Sequence, residues 1–137
     1  VLKRNIHFYN LEARVRIVHG DVREYRPEQV FDLIVSNPPY IADAEMAGLD
    51  KKVSHYEPYM ALSDSGDGLG FYRLFSERFE QWLKPRGAAI LEFGGNAQTE
   101  TLEAIFKNYD QRIVKDYQND DRVLVLHRRA VSEQEAV

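Results

Sequence analysis

The sequence predicts an α/β layer fold with a mainly parallel sheet and a C-terminal antiparallel hairpin. Three observations carry this expectation. Strand-like runs alternate with segments of helical periodicity. The runs over 31–36 and 88–93 are nearly all apolar, the pattern of strands covered on both faces. Two last strand-like runs, 112–117 and 122–127, are joined by Gln118-Asn119-Asp120-Asp121, a hairpin signal. Strand–helix–strand order of this kind belongs to layered α/β architecture.

Each element follows from local chemistry. Val15-Arg16-Ile17-Val18-His19 reads as a short strand that stops at Gly20-Asp21. Phe31 to Ser36 is the second strand, and Asn37-Pro38-Pro39 ends it, because proline cannot continue a central ladder. Residues 41–68 read as a long, turn-rich loop. Leu69, Tyr72, Phe75, Phe79, Trp82 and Leu83 recur at helical spacing, so a helix is expected over about 69–84. Its stripe of aromatic side chains reads as core. Lys84-Pro85-Arg86-Gly87 is expected to stop it. The strand from Ala88 to Phe93 ends at Gly94-Gly95, and Leu102, Ile105, Phe106 and Tyr109 mark a helix over about 97–109. The tail, 131–137, is expected to be disordered.

Composition excludes several classes. The 137 residues include no cysteine, which removes disulfides, thiolate nucleophiles and cysteine-based metal sites. The four histidines, His7, His19, His55 and His127, are scattered without metal-ligand spacing, so no metal is expected. Ser36 lacks the Gly-x-Ser-x-Gly elbow of a hydrolase. No apolar run approaches a membrane span, and the first residues do not resemble a secretory signal. A reducing, cytoplasmic setting is expected. The formal net charge of −4 argues against direct nucleic-acid binding through bulk charge. Residues 1–26 are mainly basic and 42–68 mainly acidic, which reads as solvated faces.

In parallel sheets, ligands sit at the C-terminal ends of the strands. Here those ends carry Asp21, Asn37 and Gly94. The Asn37-Pro38-Pro39-Tyr40 segment holds the clearest chemistry. Two prolines lock φ and remove two donors, and each biases its predecessor toward extended geometry. The result is a rigid turn with free carbonyls. The Asn37 side-chain oxygen and the Pro38 carbonyl can converge on one planar NH₂ group, and Tyr40 offers an aromatic face. An amide or exocyclic amine nitrogen is a poor nucleophile because its lone pair is delocalised. Two acceptors holding its hydrogens orient that lone pair and stabilise charge growing on nitrogen.

Ser36-Asn37-Pro38-Pro39-Tyr40 behind Phe31-Asp32-Leu33-Ile34-Val35 resembles the signature of S-adenosylmethionine-dependent amino-methyltransferases. Further segments narrow the likeness: His55 to Leu62 with Glu57-Pro58, Gly66-Asp67-Gly68-Leu69, Leu91-Glu92-Phe93-Gly94, and Asp116-Tyr117 with Asp121-Arg122-Val123. In this order they resemble the HemK/PrmC family, protein-(glutamine-N5) methyltransferases that act on the Gly-Gly-Gln motif of peptide chain release factors. The resemblance covers residues 1–128. It implies a Rossmann-like class I methyltransferase fold, S-adenosyl-L-methionine as cofactor and release factors as partners. It implies that Asn37, Pro38, Pro39 and Tyr40 bind the glutamine, with Asn37, Pro38 and Tyr40 catalytic and Asn37 also beside the methyl donor. By the same resemblance Asp21 contacts the cofactor's adenine amine and Val22 flanks the ring. Glu57 and Glu92 either support the substrate loop or are structural.

The sequence departs from the family pattern in two ways. Gln118 stands where a glycine is common. The first two strands of the family's domain, with the Gly-rich loop and the ribose-binding carboxylate, have no counterpart. Residues 1–130 are therefore expected to be a methyltransferase domain incomplete at its N-terminus. The strand at 15–19 is expected to detach, or the gap to close by association with a second copy through exposed strand edges. Alone, the chain is expected to be inactive and to bind cofactor weakly or not at all. Two other readings stay open on the residues: a non-catalytic fragment or binding module, and an adenine-N6 methyltransferase of nucleic acid, against which the acidic stretch at 42–68 argues.

Overall fold

The structure, a computed structural model, describes residues 1–48 and 58–129. Glu57 and the expected disordered tail lie outside these residues. The described elements are α1 (Leu2–Phe8), β1 (Phe31–Ser36), a 3-10 helix (Asp43–Gly48), α2 (Tyr59–Leu62), α3 (Gly70–Trp82), β2 (Leu83–Glu92), α4 (Asn96–Ile105), β3 (Tyr109–Lys115) and β4 (Asp121–Arg128).

The sheet has four strands in the order β1-β2-β4-β3. β1 and β2 are parallel, while β2–β4 and β3–β4 are antiparallel. Among the described residues the sheet is therefore mixed, with its parallel part confined to one pair. The C-terminal hairpin forms as expected. Its turn is held by Asp116, whose Oδ1 accepts the N–H groups of Gln118 and Asp120. The left-handed residue there is Asn119, with φ 67°, so Gln118 needs none of glycine's freedom.

One face of the sheet builds the core. Cross-strand register aligns Ile34 with Ala89, Ala89 with Leu126, and Leu91 with Leu124. α3 covers this face because Tyr72, Phe75, Phe79 and Trp82 follow a three-four-three spacing that lines one side of a helix. Phe75 and Phe79 stack at 5.2 Å between centroids, and Phe79 meets Phe106 at 6.2 Å. Leu102 of α4 completes the cluster.

Three expectations need correction. First, residues 15–19 form no strand. A strand exists only through a ladder partner, and no described segment pairs with this one. Val15, Ile17 and Val18 are exposed. Second, β1 is not covered on both faces: Leu33 is 51% exposed and Val35 68%. Among the described residues β1 is an edge strand, and Phe31 and Ile34 are its side chains packed against the core. Third, residues 84–87 stop α3 but do not separate it from the next strand. The chain turns extended at Leu83 (φ −95°, ψ 140°), one residue ahead of Lys84, where Pro85 disfavours helix. Residues 84–87 then form a bulge within β2, where Phe31 pairs with Leu83 but Leu33 with Ala88.

Candidate active site

The C-terminal end of β1 opens into the turn Asn37-Pro38-Pro39-Tyr40. Asn37 is exposed, Pro38 buried, and Pro39 and Tyr40 half-buried. Together with Ile41, Ala61 and Leu62 they line a hollow of about 260 Å³. Thus all four residues of the sequence motif share one concave surface.

The turn is fixed from behind. The Ile41 N–H donates to the Leu62 carbonyl at 3.0 Å, and Ile41 bridges Ser63 in parallel fashion. The Asp43 N–H donates to the Gly66 carbonyl at 2.8 Å. The Tyr40 carbonyl accepts from Gln98 Nε2 at 2.9 Å. Its ring lies near Gly94, where an added Cβ would stand 3.2 Å from Tyr40 Cδ2.

The segment from Asp64 to Gly70 supports the turn. The Asp64 carboxylate accepts three backbone N–H bonds, from Gly66 and Gly68 at 2.9 Å and from Gly70 at 2.7 Å. Gly70 opens α3, so the charge also sits at a helix N-terminus, where anions are favoured. Asp67 pairs with Arg73 and accepts the Leu69 N–H. These contacts, the Arg73 hydrogen bond foremost, lower the Asp67 carboxyl to about 2.

Tyr72 reaches the same region from the core. Its hydroxyl donates to the Glu92 carbonyl at 2.6 Å. Burial, reinforced by the neighbouring Tyr40, Glu92 and Asp64, pushes the phenol upward, so it stays protonated as a donor. The Glu92 backbone is thereby a structural anchor, and its side chain is half-buried.

Asp21 and Val22 lie elsewhere. With residues 18–20 and 24–26 they line a separate hollow of about 560 Å³. Val22 and Tyr25 pack on the core, and Tyr25 meets Trp82 edge-on at 6.0 Å, which fixes this segment without a ladder. The Asp21 carboxylate accepts the Arg23 N–H at 2.9 Å and the Arg23 guanidinium at 2.6 and 3.0 Å. Arg23 holds it below the ordinary carboxylate range. The structure thus groups the turn residues together and Asp21 with Val22, and the two sets do not line a common hollow. Among the described residues no cluster of three His, Asp or Glu side chains converges, and no helix there is long and apolar enough to cross a membrane.

Sequence reasoning missed Asp64, Gly68, Tyr72 and Gln98 as supports of the turn. The glycine spacing at 66, 68 and 70 was the available signal for the first two. Tyr72 looked like any core aromatic, and Gln98 carried no signal beyond its place early in a helix.

Proteins similar to this chain match it over most of its length. No family model matches the chain. It is 46% identical over 94 residues to the release factor glutamine methyltransferase of Geobacter sulfurreducens, covering 69% of this chain and 33% of that protein. It is 39% identical over 127 residues to a bifunctional methyltransferase of Rickettsia typhi, covering 90% of this chain and 24% of that protein. The chain belongs to the HemK/PrmC family. It spans well under half the length of these two relatives. A methyltransferase of Pyrococcus furiosus shares the fold, with a TM-score of 0.57 at 19% identity over 93% of this chain and 55% of that one. The fold is that of class I methyltransferases. In this HemK/PrmC chain, the rigid turn closes β1 at the strand end where such sheets place their ligands.

Proposed function

We propose that the protein carrying this chain transfers a methyl group from S-adenosylmethionine to the side-chain amide nitrogen of a glutamine in a peptide chain release factor. The observation that carries this reading is the fixed Asn37-Pro38-Pro39-Tyr40 turn at the end of β1, in a chain whose relatives include release factor glutamine methyltransferases.

The turn's residues suit the task. The Asn37 side-chain oxygen and the Pro38 carbonyl accept the two amide hydrogens and aim the nitrogen lone pair outward. Tyr40 lies along the planar amide. As the nitrogen would gain its bond to the methyl carbon, the bond from that carbon to the donor's sulfur would break and leave a neutral thioether. The acceptors would stabilise the positive charge developing on nitrogen, which would then release one hydrogen as a proton to water. No strong base is needed in the turn.

The hollow at 18–26 fits the adenosine end of the cofactor. It has the volume for a base, and Val22 supplies an apolar wall. Gly20 has nothing within 4 Å of where a Cβ would stand. Arg23 engages both oxygens of the Asp21 carboxylate, so accepting from an exocyclic amine would require it to give up part of that pairing. When bound, the cofactor supplies an electrophilic methyl group on a sulfonium centre.

Activity is assayed in a protein of the relatives' full length that contains this chain. Labelled methyl from S-adenosylmethionine should enter a release factor and should not enter a variant whose Gly-Gly-Gln glutamine is replaced. Label in adenine of nucleic acid, with none in the release factor, would move the assignment to a nucleic-acid methyltransferase.

A further inference from the structure

Tyr40 is held at three points. Its carbonyl accepts from Gln98 Nε2 at 2.9 Å. The same carbonyl is closed off by Gly68, where an added Cβ would stand 2.3 Å from the oxygen. Its ring lies close to Gly94. Gln98 connects two of these points, because its Oε1 accepts the Gly94 N–H at 2.9 Å. The orientation of its amide is dictated by its partners: a backbone N–H can only donate, and a carbonyl can only accept.

Gln98 stands in the first turn of α4, which begins without any side-chain cap on Gly95. In a capping box the glutamine at this position reaches back to the N-cap N–H; Gln98 reaches one residue further, to Gly94. Here that reach occupies only half of the amide. The other half crosses to a carbonyl 58 positions away in sequence. One side chain therefore ties the end of β2 and the start of α4 to the turn that closes β1.

We propose that Gln98 is a positioning residue for methyl transfer. It acts through Tyr40, fixing the aromatic face and, along the rigid prolines, the Asn37 and Pro38 acceptors. The inference rests on the amide-methyltransferase reading of the turn. No substitution reproduces both bonds. Alanine removes donor and acceptor. Glutamate keeps the acceptor for Gly94 but presents an oxygen to the Tyr40 carbonyl, which repels it. Small displacements of orienting groups are expensive in rate, since about 1 Å can cost on the order of 100-fold.

The test uses a protein of the relatives' full length that contains this chain, as wild type, Gln98→Ala and Gln98→Glu. Two measurements are made on each: steady-state kinetics with a Gly-Gly-Gln peptide, and hydrogen exchange at the Ile41 amide. Both variants should lose at least about tenfold in kcat, with the calorimetric affinity for S-adenosylhomocysteine within about twofold of wild type. Ile41 should exchange faster in both, because its bond to Leu62 lies next to the released carbonyl. Gln98→Glu separates positioning from helix capping, since it retains the Gly94 bond. Wild-type kcat and unchanged Ile41 exchange in Gln98→Glu would overturn the proposal, whatever Gln98→Ala does. If the wild-type protein methylates no glutamine, the proposed function fails, while Ile41 exchange still decides whether Gln98 holds the turn.

Discussion

The α-carbon of Gly68 is packed against the carbonyl of Tyr40, so that a Cβ on residue 68 would lie 2.3 Å from the oxygen and 3.0 Å from the carbonyl carbon. Gly68 also has φ +79°, a conformation that L side chains resist. Both features demand glycine, and they press the Asp64–Gly70 segment onto the back of the Pro-Pro turn. Gly68→Ala should therefore lower stability by about 2–4 kcal/mol, combining left-handed strain with overpacking. Urea unfolding measures this. An unchanged midpoint would show that the contact relaxes freely.

Tyr72 joins the core to the end of β2 by one bond, from its hydroxyl to the Glu92 carbonyl. Tyr72→Phe keeps the ring and removes the donor. The loss expected is about 1–2 kcal/mol, because a buried carbonyl is left without its partner. The check is the unfolding free energy of the variant. A variant as stable as wild type would mean that water replaces the hydroxyl.

The Asp67 carboxyl titrates near 2, lowered mainly by Arg73. A depressed folded-state value makes stability that is present above the unfolded value, ordinarily about 3.9, and lost as pH falls toward the folded one. Asp67→Asn should thus be somewhat less stable than wild type at pH 6, and the difference should shrink below about pH 4 and vanish near pH 2. The pair is about half exposed, so the effect is small and weakens in salt. Melting temperatures of both proteins across this range provide the comparison. A constant difference down to pH 2 would exclude the ion pair as its source.

The free face and edge of β1 carry Leu33 at 51% and Val35 at 68% exposure. Unpaired, apolar strand edges invite pairing with other chains. The 137-residue chain should therefore self-associate with rising concentration, and Leu33→Lys with Val35→Lys should suppress it. Sedimentation velocity distinguishes the outcomes. A monomer at all concentrations would contradict this use of the edge.

Legibility in the sequence followed the range of the interactions. α3 was readable because Tyr72, Phe75, Phe79 and Trp82 repeat at a helical period set by the segment itself. The hairpin was readable because Asp116 and Asn119 make its turn locally. The turn at Asn37 to Tyr40 was readable because proline constrains φ whatever surrounds it. Elements that depend on distant partners were not. Residues 15–19 have strand composition but no described ladder partner. Leu33 and Val35 look like core residues until the sheet's coverage is known. Residues 84–87 looked like a plain terminator, but the ladder to β1 turned them into a bulge. Gln98 and Tyr40 are 58 positions apart, and no local pattern announces their bond.

In the proposed reaction the Asn37 side chain holds the amide nitrogen that receives the methyl group. The most direct measurement is kcat for Asn37→Ala in a protein of the relatives' full length, with a Gly-Gly-Gln peptide as substrate. Asn37 is exposed, so the variant should fold and melt as wild type does. Removing one acceptor from a developing charge should lower kcat by about 10²–10³, with affinity for S-adenosylhomocysteine retained. A kcat near that of wild type would contradict the account and leave Asn37 as a residue of the turn alone.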